Sequence, residues 1–257
     1  MKAAAFAYLK PASLAEAFAA LENPEAKILA GGQSLIPSLN MRLSSPGLLV
    51  DITGLRDLAG ISLQGSSIRI GALTTHAEIE RSDLVKKHVP LLAQAVPHIA
   101  HAAIRNRGTI GGSLALADPA AEYPACVVAL EAVVIIRNKA SDRRVKAEQF
   151  FKGLFETDLK QGDLLVAVEF PVAKAGDTSV FLELTRRHGD YAIVGLAAHN
   201  ERIVFLGLDS KPLLLKKKTL EETKNLLPRN PPADLYHSSA TKRHLAGVLL
   251  ERAWNTP

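Results

Sequence analysis

The chain is poor in the residues that most often announce a chemistry. It has one cysteine, Cys126, in 257 residues. That excludes an intramolecular disulfide framework and any multi-cysteine zinc or iron–sulfur site built from this chain alone. A lone thiol fits a reducing compartment, so a cytoplasmic location is expected. Aromatic residues make up 5%, too few for base-stacking platforms. No apolar run approaches the ~20 residues of a bilayer-spanning helix, and the longest candidate, Ala125 to Ile136, carries Glu131. The opening MKAAAFAYLKP has the start of a secretory leader, but Lys10 and Pro11 close it at once, and it reads as a first strand.

Familiar motifs are missing as well. No G-x-G-x-x-G follows a strand, and there is no P-loop, H-E-x-x-H, C-x-x-C or G-x-S-x-G. His98 and His101 are spaced to share a helix face, but no third ligand stands near them, so they are expected to be ordinary helix histidines. What is present is average for a folded chain: 47% apolar residues, 22% charged and a net charge of +5. Basic residues are scattered, and their one compact run is Lys216-Lys217-Lys218. A nucleic-acid footprint needs clustering on one face, so a solvated surface is the expectation.

The periodicities predict a mixed fold. Ser13-Leu-Ala-Glu16 has capping-box spacing ahead of a helix over about 14–22, and Ser34 is placed to cap another near 35–43, with Pro37 in its first turn. Short strands are expected at Lys27–Ala30, Leu48–Ile52, Ile61–Leu63, Ile68–Ile70, Val133–Ile136 and Leu164–Phe170, the third and fourth forming a hairpin. Thr75-His-Ala-Glu78 is a second capping box. A helix is expected from Leu91 to Ala103, disturbed by Pro97, and another led by Asp118 at the N-cap with Pro119 first. Ala173–Thr178 reads as a linker. Beyond it, strands at Val180–Leu184, Ile193–Ala198 and Ile203–Leu208 precede a last helix over Ala240–Trp254, with Leu245, Leu249, Leu250 and Ala253 as its stripe. Strands followed by helices make an α+β pattern.

Two segments stand out. One is Ala30-Gly31-Gly32-Gln33-Ser34; the other is Ile104-Arg-Asn-Arg-Gly108-Thr109-Ile110-Gly111-Gly112-Ser113. Paired glycines let a backbone turn sharply and approach a ligand closely. Successive N–H groups can then form an anion nest, with the Ser and Thr hydroxyls as further donors. Each loop alone also reads as a tight strand-to-helix turn; together they are expected to form two sides of one diphosphate cleft. Arg105 and Arg107 either contact phosphate or pair with carboxylates and hold the loop's shape.

Three stretches carry a resemblance: AGGQSLIPSLNMRL (Ala30–Leu43), IRNRGTIGGSLALADPAAEYPA (Ile104–Ala125) and TRRHGDYAIVG (Thr185–Gly195). In this order they are similar to the FAD-binding medium subunits of molybdenum hydroxylases, the family of the carbon monoxide, xanthine and nicotine dehydrogenase flavoproteins. The resemblance spans nearly the whole chain. It implies an α+β protein with an FAD-binding fold of the vanillyl-alcohol-oxidase type over residues 1–172, in subdomains of about 1–55 and 56–172, and a C-terminal α+β domain over 178–257. By position, Ile28, Leu29, Ala30, Gly31, Gly32, Gln33, Ser34 and Leu35 would wrap the diphosphate, and Thr109, Ile110, Gly111, Gly112 and Ser113 would meet it from the other side. Glu122 would accept from the ribityl hydroxyls; without the resemblance it reads as an exposed first-turn acid. Tyr191 would be the aromatic at the flavin ring, or else a core tyrosine on a strand, and Arg187 would lie near the cofactor or simply at the surface.

The resemblance further implies that the molybdenum cofactor and two [2Fe–2S] clusters sit in separate large and small partner subunits, the whole assembling as a dimer of heterotrimers. This chain would pass electrons from those clusters to an external acceptor. A non-catalytic flavin-binding scaffold and a stand-alone flavin reductase or oxidase are the alternatives. The chain departs from the pattern after the TRRHGDYAIVG motif, where Asn200-Glu201-Arg202 and Asp209-Ser210-Lys211-Pro212 are shorter than the turns usual in the family.

Overall fold

The computed structural model describes residues 2–256; Met1 and Pro257, the outer limits of the expected domains, lie outside them. The chain begins with β1 (Ala7–Leu9), α1 (Leu14–Leu21), β2 (Ala26–Leu29), α2 (Leu35–Asn40) and β3 (Leu48–Asp51). The three strands pair in parallel in the order β1-β3-β2. Ser13 caps α1, its hydroxyl accepting from the Glu16 N–H at 3.2 Å. Ala17 and Leu21, one turn apart on α1, are buried against Val50 and Ile52.

A second body follows: β4 (Ile61–Gln64), β5 (Ser67–Gly71), α3 (His76–Arg81), α4 (Asp83–His88), α5 (Pro90–Ala95), α6 (Ala102–Arg105), α7 (Ile110–Leu116), α8 (Glu122–Ala129), β6 (Val133–Arg137), β7 (Asp142–Lys146), α9 (Ala147–Phe150), β8 (Phe151–Gly153), β9 (Glu156–Thr157) and β10 (Leu164–Pro171). Its main sheet runs β4-β5-β10-β6-β7, antiparallel throughout. The expected hairpin is present, with Ile61 opposite Ile70. The helix expected over 91–103 is instead broken: α5 ends at Ala95, a 3-10 turn carries Val96–His98, and α6 starts at Ala102. Pro97 lacks the N–H that would continue the ladder, and Ala100 takes a left-handed φ of 46°. His98 and His101 therefore share no helix face. His98 stacks on His188 at 5.8 Å and packs on Phe181.

The third body is a four-stranded antiparallel meander, β11 (Ser179–Leu184), β12 (Val194–His199), β13 (Arg202–Leu206) and β14 (Leu213–Lys216), followed by α10 (Leu220–Asn225) and α11 (Ser239–Trp254). Its strands alternate faces as their period of two requires. Val194, Leu196, Ile203 and Phe205 meet Ala246, Leu249 and Leu250 of α11. The opposite face, with Phe181, Ala197, Val204 and Leu206, joins the core that contains α8. Helix α8 is thus sandwiched between two sheets, and all eight of its residues are buried. A helix apolar all round is a buried helix, and this one carries Glu122 inward with it.

Candidate functional site

The two glycine loops touch. A Cβ built on Gly31 would overlap the carbonyl of Arg107 and lie 2.9 Å from the Cα of Gly108, so the first loop can pass this close only without a side chain there. Gly32 has a φ of 75°, a left-handed turn that aims the chain into α2. The main-chain N–H groups of Gly31, Gly32, Gln33 and Ser34 have no protein acceptor among the described residues. The Gln33 amide closes back on the Gly31 carbonyl at 3.0 Å. Ser34 stands at the head of α2, but its side chain makes no capping hydrogen bond, contrary to expectation, and it is exposed.

The second loop is built the opposite way. The Ile110 N–H donates to the Thr74 carbonyl at 3.1 Å and the Gly111 N–H to the Ala72 carbonyl at 2.9 Å. The Gly112 N–H donates to the Thr109 hydroxyl at 3.2 Å, and the Ser113 N–H to the Thr109 carbonyl at 3.0 Å. The nest of free amides expected here is therefore absent from Ile110 to Ser113, because the segment Ala72–His76 pairs with the loop and α7 uses the remainder. Gly111 is required by packing: its Cβ would come within 2.5 Å of Ala72 Cβ. Gly112 is exposed and Ser113 half-buried, so both still face outward.

The two arginines divide. Arg105 Nε donates to Glu80 at 2.9 Å, and its Nη1 donates to the carbonyls of Ile99 at 3.1 Å and Ala100 at 2.8 Å. It pairs with a carboxylate and holds the loop. Arg107 is exposed and makes no side-chain hydrogen bond or ion pair among the described residues.

Helix α7 spans seven residues, about 10 Å of rise, and leads from the glycine loops to a group of acids. Asp118 does not cap a helix as expected. Ala117 takes a left-handed φ of 55°, and Asp118 instead accepts from the Ala120 N–H at 2.9 Å in a short turn, so that α8 starts only at Glu122. Pro119 lies in that turn, outside the helix.

Glu122 is not the exposed first-turn acid of the simpler reading; it is 8% exposed. Burial pushes its pKa up to about 7, an effect its own N–H partly offsets and Asp118 adds to. Glu183 on β11 has both carboxylate oxygens buried without a hydrogen-bond partner among the described residues. Burial, then the neighbouring Glu122 charge, push its pKa to about 8.

Tyr191 is 72% exposed, in the irregular segment before β12, so it is not a core tyrosine. Partial desolvation and the charges of Asp118 and Glu122 raise its hydroxyl pKa. Arg187 is exposed and has no ion pair among the described residues. Ile28, Leu29, Ala30 and Leu35 are half-buried around the first loop.

Residues 4–173 match the family described as the FAD binding domain in molybdopterin dehydrogenase. The chain belongs to that family. It is an FAD-binding oxidoreductase subunit. Among its relatives, the 6-hydroxypseudooxynicotine dehydrogenase complex subunit alpha of Paenarthrobacter nicotinovorans is 44% identical over 200 residues, which cover 77% of this chain and 68% of that one. The glyceraldehyde dehydrogenase medium chain of Sulfolobus acidocaldarius is 36% identical, with 97% of each chain covered. The solved carbon monoxide dehydrogenase of Hydrogenophaga pseudoflava superposes with a TM-score of 0.93 at 31% identity, covering 99% of this chain and 98% of that one. The α+β architecture therefore extends through the abbreviated turns. Asn200 and Glu201 close the β12–β13 hairpin in two residues, with Asn200 at a left-handed φ of 51°.

The flavin subunit's own atoms fit the dinucleotide. Unpaired main-chain N–H groups suit a diphosphate, and a buried acceptor suits hydroxyl donors. Sequence reasoning missed three contributors: Ala72 and Thr74, whose carbonyls anchor the second loop, and the buried His76 beneath Gly108. Carbonyl acceptors leave no side-chain signal, and the capping box around His76 announced only a helix start.

Proposed function

We propose that this chain is the electron-exit module of a molybdenum hydroxylase. In this reading a large partner subunit holds the molybdenum cofactor and oxidises the organic substrate, and a small partner subunit holds two [2Fe–2S] clusters. Bound FAD supplies the exchange of electrons between those clusters and an external acceptor. The assembly is a dimer of heterotrimers in the cytoplasm. Residues 1–172 are the FAD-binding domain and 178–257 the C-terminal domain, a division supported by the family match ending at residue 173.

The residues of this chain bind and orient. Ile28 to Leu35 hold the diphosphate through the N–H groups of Gly31 to Ser34. Thr109 to Ser113 form the facing wall and offer the Ser113 hydroxyl. Glu122 accepts from the ribityl chain, while Tyr191 covers the ring side and Arg187 lies at the rim. None of these groups is asked to act as a nucleophile. The observation that carries the reading is the contact of Gly31 with Arg107 and Gly108, which brings the two loops together at one place.

The test is purification of the complex from its native host, with identification of the chains and assay of flavin, iron and molybdenum. One FAD per copy of this chain, with iron and molybdenum on separate chains, is expected, and the isolated chain should not oxidise the organic substrate. Substrate oxidation or oxidase turnover by the lone chain would overturn the division of labour. A flavin-loaded chain that co-purifies with no metal-bearing partner would favour the scaffold instead.

A further inference from the structure

We propose that His76 is a positioning residue of the flavin site: its buried ring is a wedge that sets the distance between the second glycine loop and the first. The inference rests on the FAD reading above and adds to it a residue that touches neither the diphosphate nor the ring.

Four groups stand in a row. Tyr123, on the fully buried α8, is 0% exposed. His76 packs edge-on against it, with ring centroids 5.1 Å apart and planes at 68°. The Nε2–Cδ2 edge of the imidazole faces Gly108, where a Cβ would come within 2.6 Å of Nε2 and 2.8 Å of Cδ2. Gly108 is in turn the residue whose Cα lies 2.9 Å from a Cβ built on Gly31. The His76 N–H also donates to the Gly108 carbonyl at 2.9 Å, so the residue holds the loop through both backbone and ring. A wedge is only as firm as its backing, and α8 packs between two sheets and has no room to retreat.

The imidazole is held neutral. Burial, and the Arg105 charge from α6, lower its pKa to about 4. Glu80 on the same helix as His76 pairs with Arg105, Glu78 is occupied by the Thr75 cap, and Tyr123 with the neighbouring Glu122 faces it from α8. Among these groups none donates to or accepts from Nδ1, which is buried without a partner. Protonation would therefore place an unpaired charge beside Arg105 and drive the ring out from under Gly108.

The experiment uses the full chain, stripped of flavin and titrated with FAD by its fluorescence, with folding checked by circular dichroism. Gly108→Ala should weaken FAD binding about tenfold or more, since its methyl strikes the ring. Combining it with His76→Ala should recover most of that loss, because the space removed is the space required. Protonation of Glu122 should weaken binding in acid equally in both chains, and below about pH 5 the wild type should fall more steeply than His76→Gln, which lacks the imidazole. Additive losses in the double variant, or an equally steep fall below about pH 5 in His76→Gln, would overturn the inference. A wild-type chain that binds no FAD would instead overturn the proposed function.

Discussion

The two glycine loops resemble each other on the page and are built for opposite tasks. Gly31 to Ser34 keep four consecutive N–H groups free of acceptors among the described residues. Ile110 to Ser113 have given theirs to Thr74, Ala72 and Thr109. The first leaves its donors open and the second is braced by the fold. Paired glycines mark a place where two backbones come close; whether the neighbour is a ligand or another stretch of the same chain depends on what the fold brings there.

The sharpest way to break this comparison is to fill one glycine on each side. Gly31→Val drives a side chain into the Arg107 carbonyl and should separate the loops, lowering FAD affinity roughly a hundredfold or more while the apo chain melts near the wild-type temperature. Gly111→Val strikes Ala72 and should act first on stability, costing about 3 kcal/mol in denaturant unfolding. Equal flavin loss with equal destabilisation in both variants would erase the distinction.

The acids beyond the loops give the next largest effect. Glu122 is raised from 4.5 to about 7 in the folded chain. The unfolded chain releases this proton near pH 4.5, so between there and pH 7 the native state binds more protons and stability falls as pH rises. The stabilisation is complete below pH 4.5 and lost through pH 7, a difference on the order of 3 kcal/mol. Glu183 acts in the same direction over a window reaching about 8. Glu122→Gln should flatten the slope in urea melts of the apo chain. FAD should flatten it as well, because hydroxyl donors at Glu122 favour its charged form. A slope unchanged by the variant would show the proton to be held elsewhere.

Smaller effects separate the two hydroxyls. Thr109 is a true N-cap, accepting from the Gly112 N–H, so Thr109→Val should cost about 1 kcal/mol of stability. Ser34 caps nothing, so Ser34→Ala should change stability by less than about 0.5 kcal/mol and show its effect, a few-fold, only in FAD binding. A thermal shift for Ser34→Ala as large as for Thr109→Val would mean that the first loop is also self-supporting.

Much of the fold was legible in local pattern. The Ser13 cap, the capping box at Thr75, the Ile61–Ile70 hairpin and the stripe of α11 all depend on neighbours a few residues away; each formed where spacing required, except that Glu16 returns its bond to the Ala12 N–H and leaves the Ser13 box half made. Pro97 marks a disturbance in the sequence, but its outcome, a break followed by a left-handed Ala100, depends on what packs around it. Asp118 illustrates the failure in reverse. An Asp-Pro pair has the chemistry of a helix start, yet here the side chain closes a turn on Ala120 and the helix waits for Glu122. Local competition between two uses of the same carboxylate was settled by where α8 had to lie.

By itself the sequence determined the positions that cannot carry a side chain and the residues available for polar contacts: Gly31, Gly32, Gly111, Gly112, Thr109, Ser113 and Glu122. Steric exclusion and hydrogen-bonding capacity belong to the residue and are readable without its neighbours. Only the tertiary structure decided which amides remain free, that Glu122 is buried with Glu183 at its back, and that His76 lies between Tyr123 and Gly108. Those properties arise from contacts between segments far apart in the chain, and burial and desolvation exist only once those segments have met.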